Sequence, residues 1–102
     1  MGRSIAEATI HTRKWASMAE VKAAHAARKV GNHWFEKDTM RFFHSRIESG
    51  IIRGRYFITS EVNPSDEKRY SVRYVTDDAE IETLGEFHSY KTKEAAKRAI
   101  PL

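Results

Sequence analysis

The chain contains no cysteine, and only two prolines and five glycines, in 102 residues. The missing cysteine excludes a disulfide framework, a thiolate zinc site and a cysteine nucleophile. Unbroken apolar runs stop at two or three residues, so no segment is long enough to span a bilayer. The lead Met1-Gly2-Arg3-Ser4-Ile5-Ala6 lacks the apolar core of a signal peptide and the Ser/Thr that myristoylation requires at position 6. There is no repeat with a period of about 20 to 50 residues, no low-complexity tract and no linker rich in Pro, Gly or Ser. What is present is 40% hydrophobic, 11% aromatic and 31% charged, too apolar for a disordered chain and too charged for a membrane protein. We expect residues 1–14 to form a flexible N-terminal segment and residues 15–102 a single cytoplasmic domain.

Charge is unevenly distributed. Residues 1–55 carry eleven Lys/Arg against five Asp/Glu, a net +6, while residues 56–102 carry seven against nine, a net −2. A basic first half attracts phosphate backbones or acidic proteins through its long-range field and through counterion release.

Local signals divide the chain into helices followed by strands. Ser17-Met18-Ala19-Glu20 reads as a capping box opening an Ala-rich helix to about Lys29, with Gly31 at its end. Asp38 caps a second expected helix, Thr39 to Ile47, with Met40, Phe43 and Ile47 on one face. Trp34 and Phe35 precede it and are expected to be partly buried, Phe35 stapling onto Phe42 or Phe43. Three strands follow, Arg55 to Val62, Arg69 to Thr76 and Glu80 to His88, the first broken by Asn63-Pro64-Ser65-Asp66. Thr92 caps a last short helix that Pro101 cannot extend. The expected fold is α+β in the order α-α-β-β-β-α. A three- to four-stranded antiparallel sheet would have one face packed by helices over Tyr70, Val72, Tyr74, Ile81 and Phe87.

If Asp77-Asp78 is a two-residue hairpin loop, Arg73 faces Glu82, Arg69 faces Glu86 and Tyr74 meets Ile81. A four-residue loop shifts the pairs but keeps both faces segregated. Either way these charges read as a solvated, self-neutralised sheet face rather than a nucleic-acid grip.

Catalytic patterns are lacking. The five histidines, His11, His25, His33, His44 and His88, have no metal-ligand spacing, and no nucleophile elbow or phosphate loop occurs. The reading is therefore a non-catalytic protein without metal or cofactor. Arg41, Arg46, Arg53 and Arg55 fall within fifteen residues, the fork-shaped donor set that phosphate recognition uses, and Trp34 or Tyr56 could stack on a base. Lys91, Lys93 and Lys97 make a secondary basic patch. Lys97 and Arg98 also complement the C-terminal end of the last helix's dipole.

Asp38-Thr39-Met40-Arg41-Phe42-Phe43-His44-Ser45-Arg46-Ile47, followed by Gly54-Arg55-Tyr56-Phe57-Ile58-Thr59-Ser60-Glu61, resembles a family of small phage, prophage and actinobacterial proteins carrying a domain of unknown function. Tyr70-Ser71-Val72-Arg73, Gly85-Glu86-Phe87 and Glu94-Ala95-Ala96 extend the likeness over about residues 33–100. It implies a mobile-element setting in a bacterial host cell and brings no activity with it. A weaker likeness is topological: a helix, three strands and a helix, with Lys93-Glu94-Ala95-Ala96-Lys97, is similar to a double-stranded-RNA-binding domain. That domain's loop before the second strand is absent here, and fold alone does not carry function. Three functions fit: binding of nucleic acid or nucleoprotein through the basic face, docking on a host defence protein as an anti-CRISPR-type inhibitor, and a structural homodimer paired through the sheet edge.

Overall fold

The computed structural model describes residues 4–28, 34–35, 40 and 44–101. Its elements are α1 (Ile5–Thr9), α2 (Met18–Ala26), β1 (Arg46–Ile47), β2 (Tyr56–Val62), β3 (Lys68–Val75), β4 (Ile81–Leu84) and α3 (Lys93–Arg98). The strands form one antiparallel sheet in the order β1-β2-β3-β4. The α+β class is as expected.

Each helix starts where a hydroxyl satisfies its orphan amides. The Ser17 and Thr92 hydroxyls accept from the N–H groups of Glu20 and Ala95, as the sequence suggests. Ser4 and Glu7 make a reciprocal capping box at α1. The expected helix to Ile47 ends earlier. His44 adopts φ 53°, and the Ser45 N–H donates to the Met40 carbonyl at 2.8 Å, a six-to-one closure with His44 in the left-handed position. Arg46 and Ile47 are then extended, opposite Ser60 and Thr59. Phe42 and Phe43, and the cap at Asp38, lie outside the described residues.

The β3–β4 register differs from the expectation by one residue. Val72, Arg73, Tyr74 and Val75 face Leu84, Thr83, Glu82 and Ile81. The cause is the loop: the Ala79 N–H donates to the Thr76 carbonyl at 3.0 Å, and Ala79 takes φ 64° before Thr76 pairs with Glu80. This is a type I turn closed by a left-handed residue, and it needs three loop residues rather than two. A slip of one residue turns every β4 side chain to the other face. Arg73 therefore meets Thr83 rather than Glu82, and Ile81 leaves the face of Tyr74.

Both faces of the sheet are covered, not one. On the first, Tyr56, Ile58, Val72, Tyr74 and Leu84 pack with Ala8 of α1, Ala96 of α3 and Ile100, with Tyr70 and Tyr90 against the edge of the cluster. On the second, Phe57 and Val75 pack with Trp15, Val21 of α2 and Ala79, joined by Trp34, Phe35, Ile47 and Ile81. Trp34 is partly buried as expected, and Phe35 packs near Phe57, with ring centroids 6.2 Å apart. Ala8 carries the N-terminal segment into the first layer, and Trp15, directly after it, enters the second. The Trp15 N–H donates to the Gly54 carbonyl at 2.6 Å, and Arg13 lies 3.6 Å over the Trp15 ring. Gly54 has φ +79°, a conformation that favours glycine, and a Cβ there would also press on the Lys14 side chain at 3.0 Å.

The second face also buries charge, which corrects the solvated-face reading. Glu61 is 2% exposed and Arg73 is 7% exposed. The Arg73 guanidinium lies 3.2 Å from the Glu61 carboxylate and donates through Nε to the Thr59 hydroxyl and through an η-nitrogen to the Thr83 hydroxyl. Glu61 also accepts from Ser71 and Thr59 at 2.8 Å and from Ser45 at 3.3 Å. Burial pulls the guanidinium below its ordinary proton affinity, and Glu61 pushes back. Arg69, expected opposite Glu86, pairs with Glu67 at 2.6 Å. Removing one partner of a buried pair leaves the other uncompensated. Arg73→Ala should therefore cost about 3–5 kcal/mol in urea denaturation, and the joint Glu61→Leu/Arg73→Met replacement much less than two such losses. A cost below about 1 kcal/mol for Arg73→Ala would remove the pair from the core.

Asp77 fastens the N-terminal segment to the β3–β4 hairpin. Its carboxylate accepts from the Arg13 and Thr12 amides at 2.9 and 3.2 Å. These bonds, the Arg13 amide first, hold the carboxyl below its ordinary range. Glu48 is held low by the Ser60 hydroxyl and by Lys68 and Lys93. A carboxyl depressed in the folded state contributes stability above its unfolded proton affinity, and loses it as falling pH titrates the folded form. The melting temperature should fall between about pH 5 and pH 3, and Asp77→Asn should melt lower at neutral pH with a shallower acid decline. Parallel curves for the variant and the parent would exclude Asp77 as the fastening.

Candidate functional site

Of the four arginines expected to form one basic face, the three that are described do not converge. Arg46 is exposed on β1, and Arg53 is exposed at the turn before β2 with φ 52°. Arg55 is half-buried, and its guanidinium donates to the Ala8 carbonyl at 2.9 Å, which makes it a tie between the sheet and α1. Arg46 lies opposite Ser60, five residues along the chain from Arg55, so about 17 Å of strand separates the two positions. Arg41 lies outside the described residues.

Arg46 belongs instead to a corner with Lys68 and Lys93. Directly paired residues project to the same side of a sheet, so Arg46, Glu48, Ser60 and Lys68 share the face that α3 covers. Glu48 sits between them. It accepts from the Ser60 hydroxyl at 2.6 Å and lies 3.4 Å from the Lys68 ammonium, while the Lys93 charge acts on it from α3. Lys68 also stands 5.5 Å over the Tyr70 ring. Arg46, Lys91 and Lys93 have no hydrogen-bond or ion-pair partner among the described residues, and Lys97 lies 3.9 Å from Glu94. One residue of the first expected cluster, Arg46, and one of the secondary patch, Lys93, thus flank the same sheet face around Glu48. Sequence reading missed Lys68, because the β2–β3 register that carries it to Glu48 depends on where the Asn63–Glu67 turn closes.

A second concentration of unusual geometry lies on the opposite face. Leu84 faces Val72 and Tyr90 faces Tyr70, so the edge chain spends five residues, Gly85 to Ser89, on a bulge between adjacent same-face positions of β3. His88, at φ 61°, donates its N–H to the Ser71 hydroxyl at 2.7 Å, and its ring Nε2 lies 2.9 Å from the Glu61 carbonyl. Phe87, expected in the core, is 50% exposed and stands 4.9 Å over the Arg73 guanidinium. The buried ion pair holds this loop and its aromatic ring in place.

A family model described as a family of unknown function, DUF7447, matches residues 17–101. The chain belongs to the DUF7447 family. The match starts at the cap of α2 and includes the sheet and α3, so both the basic corner and the Phe87 loop lie within the DUF7447 domain, and α1 precedes it. No curated protein and no solved structure matches the chain significantly. Among the described residues there is no group of three His, Cys, Asp or Glu placed to hold a metal ion, and no helix long and apolar enough to cross a membrane.

Proposed function

We propose that this DUF7447 protein is a non-catalytic binding protein of a phage or prophage, acting in the bacterial host cytoplasm and engaging nucleic acid or a nucleoprotein through the Arg46–Lys68–Lys93 corner. The observation that carries the reading is the imbalance of charge around Glu48. One carboxylate, already engaged by Ser60 and Lys68 and acted on by Lys93, shares its sheet face with Arg46, and among the described residues Arg46 and Lys93 have no hydrogen-bond partner that would compete with an incoming anion. Phosphate groups fit such a set of spaced donors, and Lys91 and Lys97 extend it along a backbone. Phe87 favours a second reading, an inhibitor of anti-CRISPR type that docks on a host defence protein. An exposed aromatic ring on a fixed loop is a common centre for protein contacts.

Nucleic-acid binding through the corner should weaken by roughly tenfold or more between about 50 and 200 mM salt. Lys68→Glu with Lys93→Glu should abolish it without lowering the fold's cooperativity, while Arg53→Glu, at the far end of β2, should leave it intact. An equal loss with Arg53→Glu would return the site to the arginine face expected from sequence. Capture from host lysate that survives nuclease and is lost with Phe87→Ala would replace the first reading with the second.

A further inference from the structure

The sheet's two edges are electrically unlike, and among the described residues no strand pairs with the acidic one. In β3, the Val75 N–H donates to the Arg55 carbonyl beyond the start of β2, while Thr76 pairs with Glu80 and Tyr70 exchanges both bonds with Tyr90. Even-numbered β3 residues therefore bond toward β4. By the same alternation, Glu82 and Leu84 bond back to β3, and the N–H and C=O groups of Ile81 and Thr83 point outward. Among the described residues no strand lies beyond β4.

Two features say what this edge suits. Residues 77–89 hold five carboxylates, Asp77, Asp78, Glu80, Glu82 and Glu86, and no Lys or Arg. On the face toward α1, a groove of about 230 Å³ beside β4 has Ile10 and Tyr74 in its walls together with Glu7, Asp78, Glu80 and Glu82. His11 and Thr76 complete the lining, Glu7 also caps α1, Glu80 lies 3.9 Å from Arg28 and Glu82 has a partner of its own, so carboxylates outnumber the other polar groups of the groove without forming a bare cluster of charge. A strand laid along β4 would direct every second side chain to that face. A Lys or Arg there would set its aliphatic stem against Ile10 and Tyr74 and its charge among the carboxylates. A second copy laid antiparallel on β4 would instead bring Glu80 and Glu82 near their own equivalents, which is unfavourable.

We propose that the outer edge of β4 receives a cationic, extended segment of a partner protein as a fifth strand. Main-chain bonds to Ile81 and Thr83 supply affinity, and the acidic groove selects the charge. This site lies on the opposite edge from the basic corner and does not depend on what that corner binds.

The test uses the full chain and a synthetic peptide of alternating Lys and Val, with amide hydrogen exchange read residue by residue. The peptide should slow exchange at Ile81 and Thr83 by about tenfold or more, while Ile58 and Val72, buried in the sheet, exchange slowly with and without it as internal controls of folding. The same peptide N-methylated on its bonding edge should give no protection, nor should a Glu-Val counterpart. Asp78→Lys with Glu80→Lys should weaken the Lys-Val effect at least about tenfold, with the Ile58 and Val72 rates again reporting an intact sheet. Equal protection by the Glu-Val peptide, or none by the Lys-Val peptide, would overturn the proposal. So would protection that grows with protein concentration alone, which would assign the edge to a second copy of the chain.

Discussion

The Glu61–Arg73 ion pair is the constraint around which the second face of this protein is organised. Two opposite charges taken out of water are tolerated only when every remaining lone pair and proton finds a partner. Here the partners come from four places: Thr59 on β2, Ser71 on β3, Thr83 on β4, and Ser45 just before β1. One pair thereby ties β2, β3 and β4 to one another and to the approach to β1. His88 joins through Ser71 and the Glu61 carbonyl, which fixes the edge loop as well. Trp34, 5.5 Å from the guanidinium, and Phe87 complete an aromatic enclosure of Arg73.

Much of the fold was legible because it is written locally. The Ser17 and Thr92 caps, the turn at Asn63–Asp66 and the strands around Tyr56–Val62 and Lys68–Val75 each follow from short-range chemistry. What was not legible depends on tertiary partners. Alternation in β3 separates two faces but does not distinguish a solvated polar face from one buried under α2, Trp34 and Phe87. The hairpin loop contains no glycine at its left-handed position, so the three-residue form is disguised by Ala79. His44, left-handed without being a glycine, hides the start of the extended chain at Arg46 for the same reason. Of the expected site residues, Arg46 lies on the sheet face that carries Glu48, and Lys93 acts on Glu48 from α3, a consequence of strand pairing that linear spacing does not reveal. Arg55 is drawn away by the Ala8 carbonyl.

The resulting molecule is polarised across its sheet. Arg46, Lys68 and Lys93 stand near the β1 edge, whereas the β4 edge and its hairpin carry carboxylates without a Lys or Arg among residues 77–89. The one-residue register of the hairpin creates part of this polarity, because it turns Glu82 toward the groove by α1 and gives Thr83, not Glu82, to Arg73.

That register is therefore the feature to measure first. Arg73 and Thr83 form a non-hydrogen-bonded antiparallel pair, as do Val75 and Ile81, and such pairs bring their α-hydrogens into close contact. A nuclear Overhauser spectrum of the full chain should show α-hydrogen cross-peaks between Arg73 and Thr83 and between Val75 and Ile81. A cross-peak from Arg73 to Glu82 in place of Thr83 would contradict the register, and with it the placement of Thr83 on the buried ion pair.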